Sequence, residues 1–397
     1  MAKMALGNLK VLDLSHLIAG PYCTRLLAGF GADVIKVEKP GDGDTARKIG
    51  PFLDDLPGPE RSTLFLYLNS NKKSLTLNLK SKAGLKIVRQ LVEQSDVVVE
   101  SFKPGVMKRL GLDYDSLKTI NPGLVMASVS NFGQTGPYRD FKSSQLISWG
   151  MSTGMYTPSG AGSRPLQIGG WIAHYITGLF ATAGIATALF QRNKTGLGQH
   201  VDTSMQESLM MMATFPSTYY SYTGIVHMDV GGRGFGIVPT RDGSYIGPSV
   251  FTAQHIERML AMLDMTDMLQ DPRVQPGNFA LHRDEIGAIV ADKIMQCNNA
   301  QELFEKSIEW SVPFGLVPST KEILESPQHK DRQFFEQVDH PVMGKATMPG
   351  APFKMSQTPW RGSTPAPLLG QHNEEILCQR LGYSKEYLSR MREQNTI

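Results

Sequence analysis

His174 lies in QIGGWIAHYITGLFATAGIATALFQRNKTGLGQHVDTSMQES, residues 167–208, near the start of a long apolar run. An imidazole is half-ionised near neutral pH, so it suits two reactions: attack on an acyl carbon to give an acyl-imidazole, and removal of a proton from water as a general base. It also fills space without doing chemistry. A second group of residues suits phosphate. The turn His16, Leu17, Ile18, Ala19 joins an apolar strand to a helix, the place where α/β proteins commonly hold phosphates. Lys39 follows the next strand, and Asn71, Lys72 and Lys73 make a basic cluster in NSNKKS; the three lysines read equally well as solvated charges. The glycines of GGRGFG (Gly231, Gly232, Gly234 and Gly236) allow the backbone to approach a ligand closely and to swing, or simply to link two units. Glu38 at a strand end is placed for a ribose, but no G-x-G-x-x-G precedes the first helix, which excludes a dinucleotide site.

These residues need a scaffold, and the hydrophobic pattern supplies one. Val11–Leu14 is a short apolar strand, TRLLAGFGA a helix ending at glycine, and Asp33–Glu38 a second strand, which together make a βαβ unit with parallel strands. The alternation returns with a helix over Ala83–Gln94 and strands over Asp96–Glu100 and Leu124–Val129. The fold class is therefore α/β and doubly wound. A helix over Ile172–Arg192 carries Gly178, Ala181, Gly184 and Ala188 at spacings of three and four, a face suited to close helix packing. From Tyr219 to Gly236 the composition turns to Tyr, Ser and Gly. A smaller unit follows, with strands around RDGSYIG and helices over Ala253–Leu263, Asp284–Met295 and Ala300–Glu309. Pro349–Pro367 reads as a second connection and Asn373–Gln394 as a helical tail.

The chain's 397 residues, 41% hydrophobic, allow a large buried core and about two folding units. A net charge of +3 from 40 basic and 37 acidic residues is too balanced for nucleic-acid binding, though compatible with a small anionic ligand. Cys23, Cys297 and Cys378 show no metal-ligand spacing and read as free thiols, so no metal is expected. The amino terminus lacks a signal peptide and the run Gly178–Phe190 is short for a bilayer, so a cytoplasmic protein without a membrane partner is expected.

Segments along nearly the whole chain resemble family III of the CoA-transferases (the CaiB/BaiF family), whose members include formyl-CoA and crotonobetainyl-CoA transferases. These are LKVLDLSHLIAGPYCTRLLAGFGADVIKVEKPGDGDTAR, LNSNKKSLTLNLK, DVVVESFKPGVMKRLGLDY, NPGLVMASVSNFGQTGPYRD, the His174 stretch, PTRDGSYI, GAPFKMS and APLLGQHNEEIL. The resemblance implies a Rossmann-like large domain built from both ends of the chain, a small α+β domain between them, and interlocked dimers. The expected boundaries are 1–205 for the CoA-binding part, 206–236 for a linker with the glycine-rich loop, 237–325 for the small domain, 326–355 for a return linker and 356–397 for the rest of the large domain. Acyl-CoA and a carboxylic acid are the implied substrates, with no permanently bound cofactor.

By resemblance, CoA contacts fall to His16, Ile18 and Ala19 for pantetheine and diphosphate, with Lys39, Asn71, Lys72, Lys73 and Arg109 for phosphate or adenine. Phe102 is placed to stack on adenine, and the glycine-rich loop to cover the site. Tyr156, Trp171, Tyr175 and the Met205–Met212 run are candidates for an apolar acyl pocket, although a methionine stripe is more often core.

The family's catalytic aspartate aligns with His174. That aspartate carries the acyl group as an anhydride and then CoA as a thioester. A histidine forms no such carboxylic intermediate. Asp202 matches a position that is usually structural, and Ser143, Ser144 and Gln145 stand where many relatives have an acid. Some relatives, such as the succinyl-CoA-dependent benzylsuccinate transferases, resemble heteromers in which one subunit keeps the aspartate. The expectation is thus a CoA-transferase working with an aspartate-bearing homologue; the alternatives are a self-sufficient homodimeric transferase, thioesterase or isomerase using His174, and a non-catalytic CoA-binding protein.

Overall fold

A computed structural model describes residues 4–155, 167–212, 214–226, 236–250, 252–275, 277–279 and 281–397. The chain divides into two compact units: residues 1–155, 166–214 and 334–397 form one, and residues 156–165 and 215–333 the other.

In the first unit, six strands make one parallel sheet: β1 (Lys10–Leu14), β2 (Asp33–Glu38), β3 (Lys72–Thr76), β4 (Val97–Glu100), β5 (Val125–Ser130) and β6 (His200–Ser204). Their order is β3-β2-β1-β4-β5-β6, so the winding direction reverses between β1 and β4. A crevice forms at the carboxyl ends of the strands on either side of such a reversal. The helices that accompany the sheet are α1 (Ala19–Gly29), α2 (Thr63–Asn69), α3 (Lys82–Glu93), α4 (Val106–Leu110), α5 (Tyr114–Leu117), α6 (Gln145–Gly150), α7 (Ile172–Thr195) and α8 (Met205–Met212). Serine hydroxyls start three of them: Ser62 accepts the Phe65 amide, Ser81 the Gly84 amide and Ser144 the Ile147 amide.

Strand residues alternate between two apolar cores, as side chains on a pleated strand must. One core joins Leu12, Leu14, Ile35, Leu75 and Val98 to Ile87, Val88 and Leu91 of α3 and to Ile376, Leu377, Leu388 and Met391 near the carboxyl end. The other joins Val11, Val34, Val97, Val125 and Ala127 to Cys23 and Leu27 of α1 and to Ala181, Ile185 and Ala188 of α7. Gly178 lets α7 press on α1: a Cβ there would lie 2.5 Å from the Ala19 carbonyl oxygen. This close approach sets the first turn of α7 beside the turn that precedes α1. With 24 residues, α7 is longer than its apolar run implies and passes the length and composition test for a membrane span. Its Ala173, Thr177, Gly178, Ala181, Ile185, Ala188 and Leu189 are nevertheless buried in the folded unit.

The second unit contains α9 (Thr214–Thr223) and a small antiparallel sheet of β7 (Val238–Pro239), β8 (Tyr245–Pro248) and β9 (Phe314–Leu316). Around it lie α10 (Ala253–Met262), α11 (Arg283–Met295), α12 (Ala300–Glu309), α13 (Thr320–Glu325) and α14 (Pro327–Asp331). Ile246, Met259, Leu260, Ile286, Val290 and Phe314 anchor its core.

Returning to the first unit, the chain forms the antiparallel pair β10 (Phe335–His340) and β11 (Gly344–Pro349), inside the stretch expected as a linker. The tail is not one continuous helix. A helical segment, Glu375–Arg380, ends before Gly382, which takes a φ of +77°, and α15 (Lys385–Glu393) starts anew from the Ser384 cap. All three cysteines are free, Cys23 buried and Cys297 and Cys378 partly so.

Candidate functional site

A cleft of about 620 Å³ opens at the carboxyl ends of β1, β4 and β5, on the crevice that the strand order creates. It brings together His16, Ile18, Ala19, Phe102, Arg109 and His174, which are dispersed over almost 160 positions of the chain. An adjoining hollow of about 640 Å³ shares His16 and Phe102 with it and adds Lys39 and Lys48.

The turn after β1 is held by side chains from elsewhere. The His16 amide donates to Ser101 Oγ at 2.8 Å and the Leu17 amide to Asp44 Oδ1 at 3.0 Å. Leu17 takes a φ of +66°, a left-handed conformation that a leucine adopts only when its surroundings impose it. Asp44 is itself buried and ion-paired to Lys36 at 2.7 Å. No side chain caps α1, and Ile18 and Ala19 at its start line the cleft, where an uncapped helix start suits an anion. The Phe102 ring meets His16 edge to face at 5.4 Å. Burial lowers the pKa of His16, with Asp44 opposing, so the ring is neutral at pH 7. Arg109, in the last turn of the short α4, is exposed and lines the cleft together with Lys103, Arg139 and Lys142.

His174 stands in the first turn of α7, its amide donating to the Trp171 carbonyl at 3.0 Å and its ring edge-on to the Trp171 indole at 5.4 Å. Burial pulls its pKa down to about 4, so it too is a neutral imidazole at pH 7. Its Nδ1 is buried and has no hydrogen-bond partner among the described residues. That nitrogen is shielded from solvent here, so a ligand reaches it, as acceptor or as nucleophile, only when the atoms around it shift. The one carboxylate among the cleft's described lining residues, Asp140, is on the surface and paired with Arg139 at 3.2 Å.

Three of the residues expected to bind phosphate are elsewhere. Lys72 is buried, and its ammonium reaches Asp13 Oδ2 at 3.0 Å, the Pro21 carbonyl at 2.9 Å and Asn69 Oδ1 at 2.9 Å. Those acceptors use all three of its donors. Asn71 is tied to the carboxyl-terminal segment, donating to the Gly362 carbonyl and accepting from the Thr364 amide. Lys73 pairs with Asp33 and Glu375 at 3.2 and 2.9 Å. These assignments are corrected on geometry: Lys72 and Lys73 lie in the amino-terminal half of β3, with Asn71 just ahead of them, and ligand clefts of parallel sheets open at the other end. Lys39 is exposed, paired with Asp42, and lines the adjoining hollow.

Gly231, Gly232 and Gly234 lie outside the described residues, as does Tyr156; Gly236 takes a φ of +72° with open space where a Cβ would be. Met205 lines the cleft, whereas Met210, Met211 and Met212 are exposed. Tyr175 belongs to a separate apolar hollow of about 580 Å³ with Tyr22 and Tyr67. Asp202 Oδ2 accepts the Gln134 amide at 2.8 Å, and the Gln145 amide group donates to the Gly170 carbonyl just before α7. Among the described residues, no three His, Cys, Asp or Glu are grouped to hold a metal.

Asp44, Ser101 and Arg139 belong to the site without having been marked in the sequence. Asp44 had a signal, as an acidic residue closing a glycine-rich turn before a short helix, where caps are expected.

The profile of CoA-transferase family III matches residues 6–373. Over 405 residues the chain is 35% identical to the succinyl-CoA–D-citramalate CoA-transferase of Chloroflexus aurantiacus, covering 99% of this chain and 98% of that one. It is 32% identical to a formyl-CoA:oxalate CoA-transferase of Bradyrhizobium sp., covering 99% and 97%. A CaiB/BaiF family protein from Brucella suis has a similar solved structure, with a TM-score of 0.85, 28% identity and coverage of 95% of this chain and 99% of that one.

Proposed function

The chain belongs to CoA-transferase family III and is a CoA-transferase; from that premise we propose that it moves CoA from succinyl-CoA to another carboxylic acid as the aspartate-lacking subunit of a heteromer. The cleft is its CoA site. The uncapped start of α1, Arg109 and Lys39 take the phosphates, each by charge or by backbone amides. Phe102 offers a flat face to adenine, and the His16–Ala19 turn a wall for the pantetheine arm. The thioester then points toward His174. Gly231, Gly232, Gly234 and Gly236 belong to a loop that covers the site during turnover.

One observation supports the division of labour. The cleft offers cations for CoA, but position 174 carries a neutral imidazole and no carboxylate free to form an anhydride lines the cleft among the described residues. The aspartate-bearing homologue supplies that carboxylate, and the two chains interlock as the family's dimers do. Succinyl-CoA as donor follows from the similarity to a succinyl-CoA-dependent transferase.

A second reading has a specific observation behind it. The unpartnered Nδ1 of His174 fits an acyl-imidazole or general-base role in a self-sufficient homodimer. Assaying the purified chain with succinyl-CoA and a panel of carboxylates, alone and co-expressed with an aspartate-bearing homologue from the same source, separates the readings. CoA transfer by the pair only is the expected result. Robust transfer or thioester hydrolysis by the chain alone, abolished in His174→Ala, overturns it in favour of the second; CoA binding without turnover in either setting makes the chain a non-catalytic CoA-binding protein.

A further inference from the structure

β4 ends on a buried charge. Glu100 closes a strand whose four residues are all buried and is itself 2% exposed. Its Oε2 accepts the Phe102 amide at 2.8 Å. Phe102 in turn packs on His16, while the intervening Ser101 accepts the His16 amide. The carboxyl group thus lies one short loop behind two walls of the cleft. Across the sheet, Glu100 is in register with Ser128 of β5, and Ser128 with Asp202 of β6. Ser128 hydrogen-bonds the Glu100 carboxyl, and its Oγ lies 2.9 Å from Nε2 of His200, an exposed residue stacked on Tyr114.

We infer that Glu100 is a positioning residue of the cleft whose protonation, exchanged with solvent through Ser128 and His200, sets the affinity for an anionic CoA ligand. This rests on reading the cleft as the CoA site. The proton path is complete in three groups. Glu100 gives its proton to Ser128 Oγ, Ser128 gives its own hydroxyl proton to His200 Nε2, and the resulting imidazolium releases a proton to water. No other reactant is needed.

The groups acting on Glu100 come from each neighbouring strand. On one side, β1 presents the apolar Leu14 in register with it. On the other, the Ser128 hydroxyl and the Phe102 amide favour the carboxylate, while Asp202 opposes it as a like charge. Beyond Ser128 stands His200, whose own pKa is lowered, first by burial, with Asp202 and Asp115 opposing, so that its neutral ring passes a proton on to water rather than holding it. Burial dominates at Glu100 and lifts its pKa to about 7. Below that pH the carboxyl group is neutral and puts no charge behind the ligand; above it, a negative charge faces an anionic ligand across the loop that Phe102 anchors. Affinity therefore falls as pH rises.

The test is calorimetric titration of the purified protein with CoA itself across pH, for wild type, Glu100→Gln and Ser128→Ala. The wild-type Kd is expected to rise about fivefold from about pH 6.5 to about pH 8.5, a size typical of coupling between neighbouring sites. Glu100→Gln, an isostere with no charge to gain, should stay flat apart from the ligand's own phosphate ionisation. Ser128→Ala should move the transition to higher pH, because the ionised form loses a donor. A wild-type slope retained in Glu100→Gln overturns the inference, as does CoA binding without any pH dependence. Failure of wild type to bind CoA at every pH overturns the reading of the cleft and this inference with it; a wild-type thermal stability that declines from about pH 4.5 to about pH 7 and levels off above it, absent in Glu100→Gln, would then still mark Glu100 as titrating.

Discussion

Two charged regions lie within one sheet's width of each other and are built on opposite plans. Among and behind β1, β2 and β3, the buried charges are paired: Asp13 holds Lys72, Lys36 holds Asp44, and Glu38 grips Arg47 at 2.7 and 2.9 Å, all with side chains out of contact with solvent. At the carboxyl ends of β1, β4 and β5 the reverse holds. Arg109 and Lys142 line an open cleft, α1 begins without a side-chain cap, and His174 Nδ1 is unpartnered among the described residues. A charge in a sequence therefore says little about binding until its donors are counted. Lys72 has none left, and Arg109 has its guanidinium free for a ligand within the described cleft.

The contrast predicts opposite responses to truncation. The largest effect should come from Asp13→Ala, which leaves the Lys72 ammonium buried without its charged partner and should destabilise the fold by about 3–5 kcal/mol in urea denaturation. Burial raises the Asp13 pKa, but Lys36 and Lys72 outweigh it and hold the carboxyl well below the usual range. A lowered carboxylate stabilises above its unfolded-state pKa and loses that contribution as pH falls, so the variant's deficit should shrink in acid. Arg109→Ala should leave stability within about 0.5 kcal/mol and weaken CoA binding about tenfold, in a manner that high salt masks. Smallest of all, Lys39→Ala should cost about two- to threefold in CoA affinity, since Lys39 is exposed and half-neutralised by Asp42. Equal stability losses for Asp13→Ala and Arg109→Ala would erase the distinction between the two regions.

Much of the scaffold was legible in the sequence because parallel strands buried on both faces spell continuous apolar runs: Asp33–Glu38 falls where the pattern puts it. His16, Phe102 and His174 could be marked because a strand-to-helix turn and the family segments around them are local. Lys72 was misjudged for a physical reason. Its partner Asp13 is 59 residues away, and only the folded sheet reveals that they meet. Glu100 was passed over as an ordinary strand end in VVVE; a charge closing an apolar run was the available sign, and its hydrogen bonds to Phe102 and Ser128 depend on strand register, which no local pattern encodes.

The account stands or falls on the atom at position 174. CoA transfer from succinyl-CoA to free carboxylates should be measured for the purified chain as wild type and as His174→Asp. If the cleft is complete except for the attacking carboxylate, the wild type shows only background and His174→Asp gains transfer by about 100-fold or more, with a CoA ester on the new side chain detectable by mass spectrometry. Wild-type transfer that matches or exceeds that of His174→Asp would contradict it.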